Sequence, residues 1–150
     1  MVKNTEAAVD IFALNTTAAC DKGAEIELKH PKVGPSGVFV TVMGKDSVAY
    51  RDHVKSNINE RQRREALAAR RGKDIDNPTL DEAEEKGTEL IIVCTLGWRQ
   101  KNKDGSFKNT LTYKGEELDF NVSNAKLIYT NELWIRREVD DAIHDLENFM

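Results

Sequence analysis

The chain has 150 residues, of which 39% are hydrophobic and 32% charged, and its formal net charge is -4 at pH 7. This length predicts one domain with its own core and is too short for two domains of ordinary size. The charge balance is typical of a soluble surface and lacks the basic excess of a dedicated nucleic-acid-binding protein. Residues 1–10 lack the apolar core of a secretion signal, and no later stretch approaches the roughly 20 apolar residues of a membrane span. We therefore expect a cytosolic protein with no membrane partner.

The first third of the chain predicts a flexible leader, a brief helix and a β-hairpin. The leader covers about residues 1–10 and gives way to a short apolar patch, after which one of the polar residues Asn15, Thr16 and Thr17 can cap a brief helix that ends at Gly23. Apolar and charged residues then alternate around Ile26, and a second apolar strand begins at Val38, beyond a turn rich in proline and glycine. This pattern predicts an antiparallel hairpin at the start of an α+β fold.

A long helix follows the hairpin. It opens at Asp46 or Ser47 and carries a narrow apolar stripe of Tyr50, Val54 and Ile58, spaced by four residues. The stripe gives way to a basic run made of Arg61, Arg63, Arg64, Arg70, Arg71 and Lys73. We therefore expect the second half of this helix to be poorly buried in the monomer.

A second helix begins with acidic turns and continues into the most hydrophobic segment of the chain. Its start, residues 79–82, matches a capping box, in which the side chain of Thr79 accepts from a backbone N–H and the side chain of Glu82 reaches back. We expect the apolar half, residues 90–96, to be core or interface. The opposite charges of the two helices predict pairing, within a helical hairpin or between neighbouring subunits. The candidate protein-binding residues on these helices are Tyr50, Val54, Ile58, Arg61, Arg64, Leu90 and Ile91.

The last third predicts small elements. Residues 100–109 are rich in lysine and predict a mobile loop, and residues 110–120 predict a small hairpin. Ser123 can cap a short helix, and a last helix begins at Glu132. The whole pattern predicts a single α+β domain over residues 1–150, mostly helical after its N-terminal hairpin.

Two tryptophans complete the set of candidate binding residues. Trp98 and Trp134 each stand beside an arginine, a combination enriched where proteins meet, although a tryptophan is more often a core anchor. Both readings stay open from the sequence.

We find no pattern of catalytic, cofactor-binding or metal-ligating residues. The histidines His30, His53 and His144 lack the short spacing of metal ligands, and Cys20 and Cys94 belong to no C-x-x-C motif. No glycine-rich phosphate loop occurs. We therefore expect a protein that is not an enzyme and binds no cofactor or metal.

Three segments of the chain resemble the tail assembly chaperones of long-tailed bacteriophages. They are residues 37–51 (GVFVTVMGKDSVAYR), residues 95–98 (TLGW) and residues 124–149. The resemblance implies a non-enzymatic protein of the host bacterial cytoplasm that coats the tape-measure protein, helps recruit tail-tube proteins and is absent from the mature virion. It also implies self-association along the client, and it identifies this chain as the short form in a family where frameshifting can add a C-terminal domain.

Two other functions remain open. A structural minor tail or connector protein of the virion would share the apolar helical surfaces. A nucleic-acid-binding regulator would use the basic run at residues 61–73, although the acidic turns that follow it would cancel much of its attraction for phosphate.

Overall fold

The computed structural model describes residues 8–74 and 78–150 and has a mixed helix and strand order. The elements, in chain order, are a 3-10 helix (Ile11–Leu14), α1 (Thr16–Lys22), β1 (Ala24–His30), β2 (Gly34–Val42), α2 (Val48–Arg70), α3 (Leu80–Cys94), β3 (Thr95–Lys101), β4 (Phe107–Lys108), β5 (Thr110–Tyr113), β6 (Glu116–Asp119), α4 (Val122–Asn131), α5 (Leu133–His144) and a second 3-10 helix (Leu146–Phe149). The predicted α+β class, with an N-terminal antiparallel hairpin, is confirmed. Residues 1–7 of the predicted leader lie outside the described residues.

The predicted helix starts are formed by local hydrogen bonds. The side chain of Asn15 accepts from two backbone N–H groups of α1, and Gly23 ends that helix with a φ of 83°. Ser47 caps α2 by accepting from the N–H of Tyr50 at 3.2 Å. Thr79 caps α3 by accepting from the N–H of Glu82 at 3.1 Å, which is the threonine half of the predicted capping box.

A four-stranded antiparallel sheet, in the order β1-β2-β3-β4, forms one side of the core. Val40 lies at the centre of its inner face, paired with Ile26 of β1 and Trp98 of β3. Helices α3, α4 and α5 cover this face, and their buried side chains, such as Ile128 and Val139, join the sheet in one apolar cluster. Burial of this cluster is the main stabilising contribution to the fold.

The second hairpin, β5–β6, is formed as predicted. Its turn consists of Lys114 and Gly115, with φ values of 50° and 80°. Positive φ at both positions matches the twist of a two-residue hairpin turn, which glycine adopts without strain. The indole N–H of Trp98 donates to the carbonyl of Leu118 at 3.1 Å and fixes the hairpin to the main sheet.

The structure differs from the sequence prediction between residues 94 and 109. Helix α3 ends at Cys94, so that Leu96 lies in a strand, and residues 100–109 contain the end of β3 and the whole of β4 in place of an irregular loop. Outer-face contacts support this short strand: the Arg99 guanidinium lies 4.1 Å from the centroid of the Phe107 ring. Sequence periodicity does not reveal a two-residue strand held by such cross-strand contacts.

A smaller difference concerns the cap of α4. The predicted cap was Ser123, but the cap is Asn121, two residues earlier, whose side chain accepts from the N–H of Asn124. The last helix follows Glu132 as predicted. Within residues 8–74 and 78–150, no helix has both the length and the apolar character needed to cross a membrane.

Candidate protein-binding site

Helix α2 is long and has no buried side chain in the described structure. It has 23 residues, a length of about 35 Å. It packs mainly against α3 and, near its start, against α1, and Tyr50 in its first turn also contacts His144 of α5. A helix without a buried face gains little from tertiary packing, so the surface of α2 is the main candidate for contact with a partner.

A groove between α2 and α3 brings together most of the residues predicted on α2. It has a volume of about 270 Å³. Its lining residues are Val54, Asn57, Ile58, Glu60, Arg61, Arg64, Pro78 and Lys86. Ile58 is 52% exposed although it lies at the groove, so its apolar surface is available to a partner. The groove therefore combines an apolar floor with a rim that is mainly basic.

Ion pairing leaves part of the rim charge free. Arg61 pairs with Glu65 at 3.0 Å and Arg63 with Glu60 at 2.8 Å, so both pairs lie within α2. The Glu60 partner raises the pKa of Arg63, and the hydrogen bond from Arg63 lowers the pKa of Glu60.

The predicted attraction between the two helices is not realised as direct ion pairs. No pair within 4.0 Å joins α2 to α3 among the described residues, and Arg64 and Lys86 have no ion pair there. Arg64 instead lines a neighbouring shallow cleft with the acidic side chains of Glu82, Glu85 and Glu89. The charges of α2 and α3 are thus close to each other but still open to a partner.

Tyr50 anchors the base of α2 and does not line the groove. Its hydroxyl lies 3.1 Å from Nε2 of His144, and the two rings meet edge to face. Asp140 lies 3.4 Å from Nδ1 of the same histidine. Burial raises the pKa of Tyr50, so the hydroxyl stays protonated and is not an activated nucleophile.

The other predicted residues lie away from the groove. Ile91 and Trp98 are only 3% and 6% exposed and fill the core, so the structure gives them no surface for a partner. Leu90 is half-buried on α3. Trp134 packs against the core, with its ring 5.0 Å from that of His30 in an edge-to-face contact. The sequence singled out Leu90 and Ile91 by their apolar run and the two tryptophans by their neighbouring arginines, and neither signal separates core positions from interface positions.

A second cleft, of about 380 Å³, lies between α3, α4 and α5 and was missed by sequence reasoning. Arg136 of α5 crosses it and donates to the backbone carbonyl of Glu84 at 3.1 Å. The guanidinium passes over Gly87, where a Cβ atom would lie 2.7 Å from Nη2. The arginine and the glycine therefore position α5 on α3, a contact with no signal in the sequence of either helix alone.

The cysteines have the properties of inert core thiols. Cys20 and Cys94 are both buried and free, and burial raises the pKa of Cys94 to about 12. Burial also raises the pKa of Cys20. Because the thiolate is the nucleophile and the metal ligand, neither thiol is activated at neutral pH. The described parts of the chain contain no group of three or more His, Cys, Asp or Glu side chains arranged to hold a metal.

Comparison with family models, with curated proteins and with solved structures finds no match to this chain.

Proposed function

We propose that this chain is a protein-binding protein that uses the groove between α2 and α3 to hold a helical client, and that it acts as a tail assembly chaperone of a long-tailed bacteriophage. The observation that carries the proposal is a 23-residue helix that buries no side chain in the described structure but borders an apolar groove. In this role the client is the tape-measure protein, and the chain helps recruit tail-tube proteins in the host cytoplasm and leaves before the virion is complete.

The shape and chemistry of the groove favour a helical client. Amphipathic helices bind proteins by placing apolar side chains, three or four residues apart, into a groove. Val54 and Ile58 offer the apolar contact, and Arg64 with Lys86 offers charge for acidic residues beside it. Such a rim mainly increases the association rate and selects the partner, while the apolar floor supplies most of the affinity.

The phage assignment is supported by the resemblance of residues 37–51, 95–98 and 124–149. These segments form β2 and the start of α2, the start of β3, and helices α4 and α5. They belong largely to the core, whereas the groove begins at Val54, just after the first segment. The resemblance therefore concerns the scaffold, and the client-binding surface needs a test of its own.

Co-expression with a tape-measure protein of the same phage tests the proposal. We expect the client to remain in the soluble fraction with the wild-type chain and to precipitate with Ile58→Asp, because a carboxylate in the groove opposes burial of the client's apolar face. Val33→Asp is the matched control, since Val33 is also exposed but lies in the turn between β1 and β2.

Each outcome of this experiment addresses a different part of the proposal. A client that is equally insoluble with and without the wild-type chain rules out the chaperone function. A client kept soluble by both the wild type and Ile58→Asp moves the binding surface away from the groove. Mass spectrometry of purified particles addresses the virion: a stoichiometric amount of the chain there favours a minor tail or connector protein instead.

The exposed basic residues favour nucleic-acid binding as a second function. Arg70 and Arg71 are exposed at the end of α2 and have no ion pair among the described residues. If these arginines contact phosphates, the chain shifts DNA or RNA in a gel at low salt, and the affinity falls steeply as salt is added. The double change Arg70→Gln and Arg71→Gln should then reduce the shift, and the absence of any shift at low salt rules out this function.

A further inference from the structure

An ordered apolar arm, residues 9–14, precedes α1. Ile11 and Phe12 are 83% and 82% exposed, the highest values for large hydrophobic residues in the described structure, and Val9 and Leu14 are also exposed. The arm has a defined shape, because the side chain of Asp10 accepts from the N–H of Phe12 at 3.0 Å and caps the 3-10 helix. A contiguous apolar segment of such exposure is typical of a surface that a partner covers.

The arm does not reach the groove of its own chain in this structure. It leads into α1, which is fixed to the start of α2: Thr16 donates to the carboxylate of Asp46 at 2.5 Å, and Asp21 accepts from the N–H of Val48 at 2.7 Å. The groove begins further along α2 and is lined by other side chains. The chain therefore presents an uncovered apolar arm and an uncovered apolar groove at separate places.

The arm and the groove match in chemistry. The groove offers apolar surface from Val54 and Ile58, and its volume of about 270 Å³ gives room for a phenyl ring with an aliphatic neighbour. The carboxylate of Asp10 stands directly beside the apolar residues of the arm, whereas Arg64 and Lys86 supply positive charge at the groove. The single carboxylate of Asp10 on the apolar arm is complementary in charge to Arg64 and Lys86 beside the apolar part of the groove.

We infer that two copies of this chain associate by exchanging arms, so that the arm of each copy lies in the groove between α2 and α3 of the other. The exchange makes two equivalent contacts related by a two-fold axis, and the assembly closes at two chains. Phe12 is the anchor of the arm, and Ile58 is its main contact in the groove. The arm of the second copy occupies the same groove that the proposed function assigns to the client, so the dimer and the client-bound chain exclude each other, and the test of the dimer uses this chain alone.

The mass in solution, measured by sedimentation over a range of concentrations, tests the exchange. We expect twice the chain mass of 16.9 kDa for the wild type. Phe12→Ser and Ile58→Ser each remove an apolar anchor from both contacts and should raise the dissociation constant by more than about tenfold. Val33→Ser removes a similarly exposed side chain from the turn between β1 and β2 and should leave the mass unchanged. Circular dichroism verifies that all variants remain folded.

Mixing the two defective variants separates arm exchange from other dimers. A mixture of Phe12→Ser and Ile58→Ser contains one intact arm and one intact groove on different chains, so a dimer with one complete contact forms more strongly than from either variant alone. A symmetric contact of arm with arm, or of groove with groove, gives no such gain and overturns the inference. A wild-type mass of one chain at every concentration also overturns it.

Discussion

Thr95, at the junction of α3 and β3, forms a buried hydrogen bond with Tyr129 of α4. The losses of stability caused by changing each residue alone should not add up to the loss in the double variant. The hydroxyl of Thr95 donates to the carbonyl of Ile91 at 2.7 Å and lies 2.8 Å from the hydroxyl of Tyr129. Tyr129 is therefore the donor in the second bond. Its side chain is fully buried, and burial raises the pKa of its hydroxyl. Thr95→Val leaves this buried donor without a partner.

The hydrogen bonds of this pair determine how much free energy of unfolding each of the three variants should lose. An orphaned buried hydroxyl and the lost bond to Ile91 together should lower the free energy of unfolding of Thr95→Val by about 2–4 kcal/mol. Tyr129→Phe removes only the donor and should cost about 1 kcal/mol. In the double variant no hydroxyl is orphaned, so it should be more stable than Thr95→Val alone by about 1–2 kcal/mol.

Urea unfolding of the wild type, both single variants and the double variant measures these free energies, with circular dichroism and tryptophan fluorescence as probes. Thr130→Val is the control, because Thr130 is exposed and its change should stay within about 0.5 kcal/mol. If the two single costs simply add, so that the double variant is the least stable, the assignment of Tyr129 as a donor that needs Thr95 is refuted.

Three further predictions concern other parts of the fold. Gly44→Ala places a Cβ against the sulfur of Cys20, closer than van der Waals contact, and should lower the free energy of unfolding by about 1–3 kcal/mol. In thermal unfolding, adding Cys20→Ala should restore part of this loss, whereas a Gly44→Ala variant as stable as the wild type contradicts the packing. Hydrogen bonds from Lys108 and two threonines lower the pKa of Glu117 from 4.5 to about 2, so their stabilising effect is present above pH 4.5 and is lost as the pH falls towards 2; an NMR titration should give that low midpoint, and Lys108→Met should raise it. Because burial raises the pKa of both thiols, Cys20 and Cys94 should react with a disulfide reagent at pH 8 only when the chain unfolds, whereas rapid labelling of the native protein would contradict their burial.

The starts of the long helices could be predicted because their signals are local. Ser47 and Thr79 each accept from an N–H three residues ahead, so a window of four residues contains the whole interaction. The end of α3 depends on distant groups. The carbonyl of Cys94 accepts from the N–H of Met43, and Thr95 is held by Tyr129, while the apolar sequence continues through the junction. Such contacts exist only in the folded chain.

The candidate site could be predicted only in the part that lies on one helix. Spacing along one helix identified Val54 and Ile58 as one stripe, and both lie at the groove. Pro78 and Lys86 also line it, but their participation depends on how α3 packs against α2, which neither helix encodes alone. The same limit applies to Ile91: the sequence marked an apolar stretch, and only the packing shows that this side chain faces the core.

The exposure of α2 also has a dynamic consequence. Beyond Arg64 the helix is held mainly by its own backbone hydrogen bonds, so its last turns should open independently of the core and exchange amide hydrogens faster than its first turns. The helix propensity of the residues in these last turns then affects the affinity of any partner that binds there. Ala69→Gly changes an exposed position and should make the free energy of helix formation there less favourable by about 1 kcal/mol. Any partner that needs this end of α2 to be helical must supply that ordering free energy, so its affinity can be adjusted by residues that it never touches.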